Sequence, residues 1–177
     1  FRKAVATGTT TFASGFAFNN YNLAELQTGT LSLAGGSAST GAWNAASGTL
    51  LRFAGGTHDL NSGASLNALS AEVSGGTVNV NGGSSYVTVT TTASGGALNF
   101  NTSPSVDTLH LTGGTIGGTA ILTVNNALNW SAGTMGGTGR TVIGAGATLN
   151  LANSGTVGLN QRALEANRHL PRMRERD

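Results

Sequence analysis

The sequence predicts an all-β protein: a single-stranded parallel β-solenoid (β-helix) of about eight coils of ~20 residues. Three observations predict this fold. Glycine pairs recur at nearly even spacing, alternating apolar and polar triplets precede them, and asparagine recurs at one position after them. The composition agrees, because 28 of 177 residues are glycine, only 9% are charged and none is cysteine. Such a chain suits short strands and tight turns, and it excludes a disulfide framework or a thiolate metal site.

The glycine repeat is the strongest of the three signals. We take as a marker the residue that follows each recurring glycine or glycine pair. Successive markers are 21, 20, 20, 20, 18, 19 and 22 residues apart. The markers are Phe16, Ser37, Thr57, Thr77, Ala97, Thr115, Thr134 and Thr156. Glycine at each corner allows the positive φ that a sharp turn in every coil requires.

The alternating triplets give each coil a strand with one buried face. They begin at Leu31, Leu51, Ala71, Leu109 and Leu128, with a weak copy at Thr91 and one out of step at Leu149. A second strand follows each marker, and a less regular third stretch contains "NLAEL", "SLNAL", "SYVTV", "AILTV" and "RTVI". We therefore predict three short strands per coil, each paired in parallel with its equivalent ~4.8 Å away in the next coil.

Two columns of outward side chains follow from this register. Asparagines stand four residues after five of the markers, at Asn20, Asn61, Asn81, Asn101 and Asn160, where an amide ladder along the axis is expected. A second column stands five residues before the markers: Ser32, Arg52, Glu72, Thr92, His110 and Asn129. Arg52 and Glu72 are expected to form an exposed ion pair worth well under ~1 kcal/mol.

Both ends of the chain depart from the repeat. Residues 1–15 are expected to form an N-terminal cap or lead-in strand, residues 16–160 the solenoid, and residues 161–177 a charged C-terminal cap helix or a disordered tail. The helix is expected from Gln161 to Leu170. An end rung has unpaired strand edges, so a poor cap favours stacking of molecules end to end into fibres.

The titratable residues show no pattern typical of a catalytic or metal site. The acids before the tail are Glu25, Asp59, Glu72 and Asp107, which lie in different coils and columns and do not converge as glycoside hydrolysis requires. His58, His110 and His169 lack a metal-ligand spacing. His58, Asp59 and His110 are interpreted as outward residues on half-buried strands. We predict no enzyme activity, no cofactor, and no catalytic, cofactor-binding or metal-binding residues; the ligand-binding residues are not specified.

The charge distribution argues against a nucleic-acid partner. The formal net charge is +2, and residues 161–177 supply it with five arginines against three acids, while the rest of the chain is balanced. A neutral body lacks the basic face that phosphate recognition requires. No apolar run approaches the ~18 residues of a membrane helix, so no membrane insertion is expected. The partners predicted are glycan or protein surface ligands, or a second copy stacked end to end.

Several segments resemble a known repeat type. "GTLSLAGGS", "GTLLRFAGGT", "LHLTGGTIGG" and "LNWSAGTMGGTG" are similar to repeats of bacterial surface proteins of the filamentous-haemagglutinin and autotransporter-passenger type. The similarity covers roughly residues 16–160. It implies a right-handed parallel β-helix and an extracellular or cell-surface stalk, and it supplies no functional residues. Because the chain begins at Phe1 without a signal-peptide pattern, a processed or excised product is expected.

The expected function is therefore a non-catalytic extracellular structural or adhesive module of a bacterial surface or secreted protein. The main alternative is a subunit of a self-assembling extracellular fibre that stacks through its terminal coils. Two further alternatives are an ice-binding solenoid, suggested by threonines in the marker column, and a polysaccharide-acting enzyme.

Overall fold

The computed structural model describes residues 1–153 and 156–167. These residues form sixteen strands and no helix, and every strand pairing is parallel within one continuous sheet. Most pairs join residues about 20 positions apart, so the sheet winds through about eight stacked turns. The β-solenoid predicted from the repeat is confirmed.

Each coil contributes a strand segment to each of the three faces of the solenoid. Face 1 holds the alternating triplets, such as residues 51–53, face 2 follows the markers, such as residues 57–60, and face 3 holds the third stretch, such as residues 65–68. The strands are β1 (Arg2–Lys3), β2 (Thr9–Phe12), β3 (Leu23–Leu26), β4 (Thr30–Leu33), β5 (Ser37–Ser39), β6 (Ala42–Ala45), β7 (Leu50–Leu60), β8 (Ser65–Val80), β9 (Ser85–Ala93), β10 (Ala97–Phe100), β11 (Ser105–Gly117), β12 (Ile121–Met135), β13 (Arg140–Ile143), β14 (Thr148–Leu151), β15 (Gly158–Leu159) and β16 (Ala163–Ala166). The five longest strands, β7, β8, β9, β11 and β12, continue round at least one corner.

The core is a narrow column of stacked side chains from all three faces. On face 1 one inward column runs Leu31, Leu51, Ala71, Thr91, Leu109 and Leu128, each in register with the next. All six side chains are buried. Full burial of a leucine stabilises the fold by roughly 1.5–3 kcal/mol, so each buried leucine of this column contributes to stability.

The outward column predicted on face 1 is confirmed. Ser32, Arg52, Glu72, Thr92, His110 and Asn129 pair in that order, although Ser32 is itself buried. Arg52 Nε donates to Glu72 Oε2 at 2.7 Å, and Ser94 Oγ donates to Glu72 Oε1 at 2.7 Å. Burial alone raises the pKa of Glu72, but the hydrogen bonds from Ser94 and Arg52 and the charge of Arg52 outweigh it and lower that pKa.

The glycine corner between faces 1 and 2 leaves no room for a side chain. Gly56, Gly76 and Gly96 stack with φ of +68°, +69° and +63°. A Cβ on Gly76 would lie 2.2 Å from the carbonyl oxygen of Gly56. Close stacking and positive φ therefore both require glycine here, as the repeat predicted.

The marker column is confirmed in the middle of the chain and wrong at its ends. Thr57, Thr77, Ala97, Thr115 and Thr134 are in register. Ser37 instead pairs with His58, Thr134 pairs with Gly158 and not with Thr156, and Phe16 lies outside every strand. The one-residue shift at Ser37 places its hydroxyl in the core against the His58 ring, which the predicted register would have left without that partner.

The helix expected from Gln161 to Leu170 is wrong over the described residues. Residues 163–166 form β16, which pairs residue by residue with β13. Residues 161–166 consist of good helix formers, but an isolated helix this short is only marginally stable in water, whereas the open edge of β13 offers backbone hydrogen bonds. The remainder of that expected helix, residues 168–170, lies outside the described residues. At the other end β1 and β2 pair with β3 and β4, so paired rungs run from Arg2 to Ala166.

Candidate functional site

The four acids considered as catalytic candidates lie apart. Glu25 is on face 3, Asp59 on face 2, Glu72 on face 1, and Asp107 at the corner between faces 3 and 1. No hydrogen bond joins two of these carboxylates, and no group of three metal-ligating side chains forms within residues 1–153 and 156–167. The described geometry thus offers no carboxylate pair for general acid–base chemistry.

The prediction that His58 points outward is wrong. Its side chain is fully buried, because it occupies the inward position of β7 that Val78 occupies in β8. Its Nε2 lies 2.8 Å from the carbonyl oxygen of Gly55, and its Nδ1 lies 2.9 Å from Ser37 Oγ. A carbonyl only accepts, so Nε2 carries the hydrogen and Nδ1 accepts from the serine hydroxyl.

This buried Ser37–His58 pair has the connectivity of a nucleophile and its base but no access for a substrate. Ser37 is 6% exposed and His58 0% exposed. Burial lowers the pKa of His58, against smaller upward effects from hydrogen bonds to Gly55 and Leu33 and from the charge of Asp59. The imidazole is therefore neutral and satisfies core polar groups. Asp59 and His110 do lie in outward columns, as predicted.

The predicted amide ladder forms in the middle coils. Asn81 Nδ2 donates to Asn61 Oδ1 at 3.1 Å, and Asn101 Nδ2 donates to Asn81 Oδ1 at 3.2 Å. The prediction is wrong for the other two asparagines. Asn20 is buried and donates to the carbonyl of Ala42, and Asn160 is exposed outside the ladder. The in-register spacing of 20 residues lets only the middle asparagines stack.

A second ladder was missed by sequence reasoning. Asn79 Nδ2 donates to Asp59 Oδ1 at 2.8 Å, and Asn99 Nδ2 donates to Asn79 Oδ1 at 2.9 Å. The signal was present as Asp59, Asn79 and Asn99, each two positions after its marker and 20 residues from the next. With both ladders, much of the polar surface of face 2 in these coils is bonded to its own axial neighbours.

The corner between faces 2 and 3 contains a step. Thr77 pairs with Ala97 and Val87 pairs with Ser105, yet the chain uses ten residues from Thr77 to Val87 and eight from Ala97 to Ser105. The pairing of β9 with β11 therefore begins only at Val87. Pro104 precedes the first paired residue of β11, where its missing N–H interrupts no ladder.

An open groove of about 550 Å³ lies along this step. Its apolar floor is formed by Leu69, Val87 and Val89, which are 42%, 55% and 44% exposed. Single exposed aliphatic residues are ordinary, but these three are contiguous on two neighbouring rungs. A concave, partly apolar surface of this size is the usual form of a ligand site.

The rim of the groove is polar and carries a single charge. It includes Asn67, Ser105, Asp107 and Asn125, and among residues 1–153 and 156–167 Asp107 is the only ionisable acid or base that lines the groove apart from the Tyr86 phenol. Asn125 Nδ2 donates to Ser105 Oγ at 2.7 Å. The side chains of Asn67 and Asp107 make no hydrogen bond or ion pair with any described residue, which leaves them available to a ligand.

A buried polar cluster supports the groove from inside. The Tyr86 hydroxyl lies 3.1 Å from Thr91 Oγ1, which lies 2.6 Å from Thr88 Oγ1. Burial raises the pKa of Tyr86 to about 12, against smaller lowering by these two threonines, so the phenol is neutral. The ring packs edge to face on Phe100 with centroids 5.3 Å apart. Both contacts hold the wall of the groove rigid.

Comparisons with family models, curated proteins and solved structures found no match to this chain. The resemblance to filamentous-haemagglutinin and autotransporter-passenger repeats therefore stays a prediction. Within the described ranges, no helix has the length and apolarity needed to cross a membrane.

Proposed function

We propose that this protein is a non-catalytic structural and adhesive module of a bacterial surface or secreted protein, acting outside the cell. In this role the stacked coils form a stiff scaffold, and the groove at the step is the surface that holds a ligand. Adhesion of this kind needs a rigid display of a shallow site and no reacting groups.

One observation carries the proposal: the groove combines contiguous exposed aliphatic residues with unpaired polar side chains. The outward polar groups of the neighbouring coils are bonded along the axis, as in Arg52–Glu72 and Asn61–Asn81–Asn101. At the groove, by contrast, Asp107 and Asn67 have no partner among residues 1–153 and 156–167. The groove therefore offers a ligand both apolar contact and unpaired polar groups.

The proposal is tested by measuring adhesion and turnover on the same sample. Beads coated with the purified chain are applied to immobilised polysaccharides and to extracellular protein layers, and the polysaccharides are then assayed for new reducing ends. We expect saturable retention of the beads on at least one surface and no release of reducing ends. Absence of adhesion to every surface, or turnover of any polysaccharide, would contradict the proposal.

A further inference from the structure

We propose that the groove at the step binds a neutral glycan, with the sugar rings against Leu69, Val87 and Val89 and their hydroxyls on the polar rim. This inference rests on the proposed adhesive function and assigns its ligand class. The site lies on the flank in the middle of the solenoid, where every rung has neighbours on both sides.

The floor of the groove matches the C–H face of a pyranose ring. Leu69 and Val89 lie at matching positions on neighbouring rungs, between the pairs Ala68–Thr88 and Ser70–Thr90. Val87 lies two residues before Val89 on the same outward side of β9. Three aliphatic side chains therefore form one contiguous patch whose burial against the ring would drive binding.

The rim matches the hydroxyls of the same ring. A sugar hydroxyl both donates and accepts, and the rim offers a carboxylate acceptor at Asp107 and both functions at Asn67, Asn125 and Ser105. The lining extends over four neighbouring rungs, a span of about 14 Å at ~4.8 Å per rung. That length suits a short oligosaccharide better than a single ring.

Charge decides which glycans fit. Among the described residues, the lining of the groove contains no cation, and Asp107 is its one charged residue. A uronate or sulfate group would lie beside an unpaired carboxylate in a partly enclosed site, which is unfavourable. Acidic glycans are therefore excluded, and neutral ones are accepted.

A bound peptide strand is disfavoured by the backbone. Adding a strand requires a row of free N–H and C=O groups along a sheet edge. At the step only Ser85 and Tyr86 precede the first pair with the next rung, because the pairing of β9 with β11 begins at Val87. Two residues are too few to pair with an added strand.

The test uses the whole chain on an array of short neutral hexose and N-acetylhexosamine oligosaccharides, with oligogalacturonate as the acidic probe. Titration calorimetry then gives the affinities. We expect binding to at least one neutral oligosaccharide and at least tenfold weaker binding to oligogalacturonate. Val87→Glu should weaken the neutral interaction about tenfold or more, because it places a charge on the apolar floor. Asp107→Asn should weaken the neutral interaction about tenfold, through loss of a charged hydrogen-bond acceptor. It should also reduce the difference in affinity between the neutral oligosaccharide and oligogalacturonate.

The matched control is Val5→Glu, the same substitution at a valine that is 90% exposed and outside the groove. It should bind like the unaltered chain, and thermal melting should show all variants folded. Equal affinity for oligogalacturonate and the neutral glycans, or Val87→Glu binding as tightly as Val5→Glu, overturns the inference. If unaltered beads adhere through the groove to a protein layer but no neutral oligosaccharide binds, the adhesive function stands and the glycan assignment fails; if unaltered beads adhere to nothing, both fail.

Discussion

The corner between faces 2 and 3 is closed in two different ways in the two halves of the solenoid. In the first half the inward column runs Leu60, Val80 and Phe100, with the asparagine ladder following it at the turn. In the second half the same inward column continues as Gly118 and Gly137, which stack directly on the backbone of Phe100 and of each other. The repeat alone would leave a gap here.

Arg162 fills that gap from outside the repeat. It is 3% exposed, and Gln161 before it has a positive φ of 60°, which turns the chain towards the core. Its guanidinium donates to Thr141 Oγ1 at 2.8 Å, to the Arg140 carbonyl at 3.1 Å, and to the carbonyls of Gly117 and Gly136 at 3.3 Å. Burial lowers the pKa of Arg162, and no carboxylate among the described residues forms an ion pair with it. A corner is thus closed either by one residue from every coil or by one long side chain inserted along several coils.

The largest expected effect comes from removing this inserted side chain. Arg162→Ala should lower the free energy of unfolding by roughly 2–4 kcal/mol, since it leaves a cavity and several unpaired carbonyls. Arg162→Met, which keeps much of the volume, should lie between Ala and the unaltered chain. Denaturant unfolding measures both.

Arg140→Ala is the matched control for Arg162. Arg140 lies on an exposed rung and pairs with Glu165 at 3.4 Å, with both side chains about half exposed. Its loss should cost no more than a few tenths of a kcal/mol. If Arg162→Ala costs as little as Arg140→Ala, the corner is not closed in the way described.

The second effect is a loss of stability in acid that originates in the first half. The pKa of His58 is lowered in the folded state from 6.5, so the unfolded chain binds more protons once the pH falls below about 6.5. The contribution of the neutral His58 to the free energy of unfolding is therefore fully present above pH 6.5. Below that pH the free energy of unfolding decreases, with a slope that approaches ~1.4 kcal/mol per pH unit for one proton. Denaturant unfolding between pH 7 and pH 5 stays above the range in which Glu72 titrates.

His58→Val separates this effect from the rest of the molecule. Valine occupies the same column at Val78, so the variant should fold, with some loss of stability from the unpaired Ser37 hydroxyl and a flattened pH dependence. His110→Asn, in the outward column, is the matched control for replacing a histidine. An unchanged slope in His58→Val would contradict a buried neutral imidazole.

The third effect concerns the asparagine ladder. Asn81→Ala removes one donated and one accepted hydrogen bond, and it should cost about 1 kcal/mol, since both bonds are partly exposed to water. Asn160 stands at the same distance from its marker but outside the ladder, so Asn160→Ala should change the free energy of unfolding by only a few tenths. Equal effects would mean that the ladder contributes nothing.

The smallest effect is the ion pair between Arg52 and Glu72. A double-mutant cycle with Arg52→Ala and Glu72→Ala should give a coupling energy of about 0.5 kcal/mol, reduced by added salt, because the side chains are 38% and 18% exposed. Zero coupling at low salt would contradict a net stabilising contribution from this ion pair.

The sequence predicted the structural features that recur from coil to coil, and it did not predict those that occur only once. The outward column of Arg52 and Glu72 was predictable because each coil contributes one member. His58 was assigned outward although Val78 and Leu98, which fill its column, are apolar; strict alternation would have placed it inside. The buried position of Arg162 could not be predicted, because most of its hydrogen-bond partners are backbone carbonyls, which leave no pattern in the sequence.

The groove was predictable only in part. The 18-residue interval between Ala97 and Thr115 indicated a coil shorter than its neighbours. It did not indicate at which corner that coil is shorter. The floor residues Leu69, Val87 and Val89 follow an outward pattern that is ordinary when they are taken singly. Their contiguity depends on the step, which becomes visible only when Ser105 is seen to pair with Val87.

The most direct test of the stepped solenoid is disulfide formation, since the chain contains no cysteine. In-register residues on adjacent rungs have Cα atoms ~4.8 Å apart, within disulfide range, whereas residues two positions out of register exceed about 7 Å. A fixed 20-residue repeat pairs Ser105 with Ser85, whereas the step pairs Ser105 with Val87. Mild oxidation followed by mass spectrometry should find a nearly complete intramolecular disulfide in Val87→Cys/Ser105→Cys and almost none in Ser85→Cys/Ser105→Cys. The reverse result would contradict the step and the groove built on it.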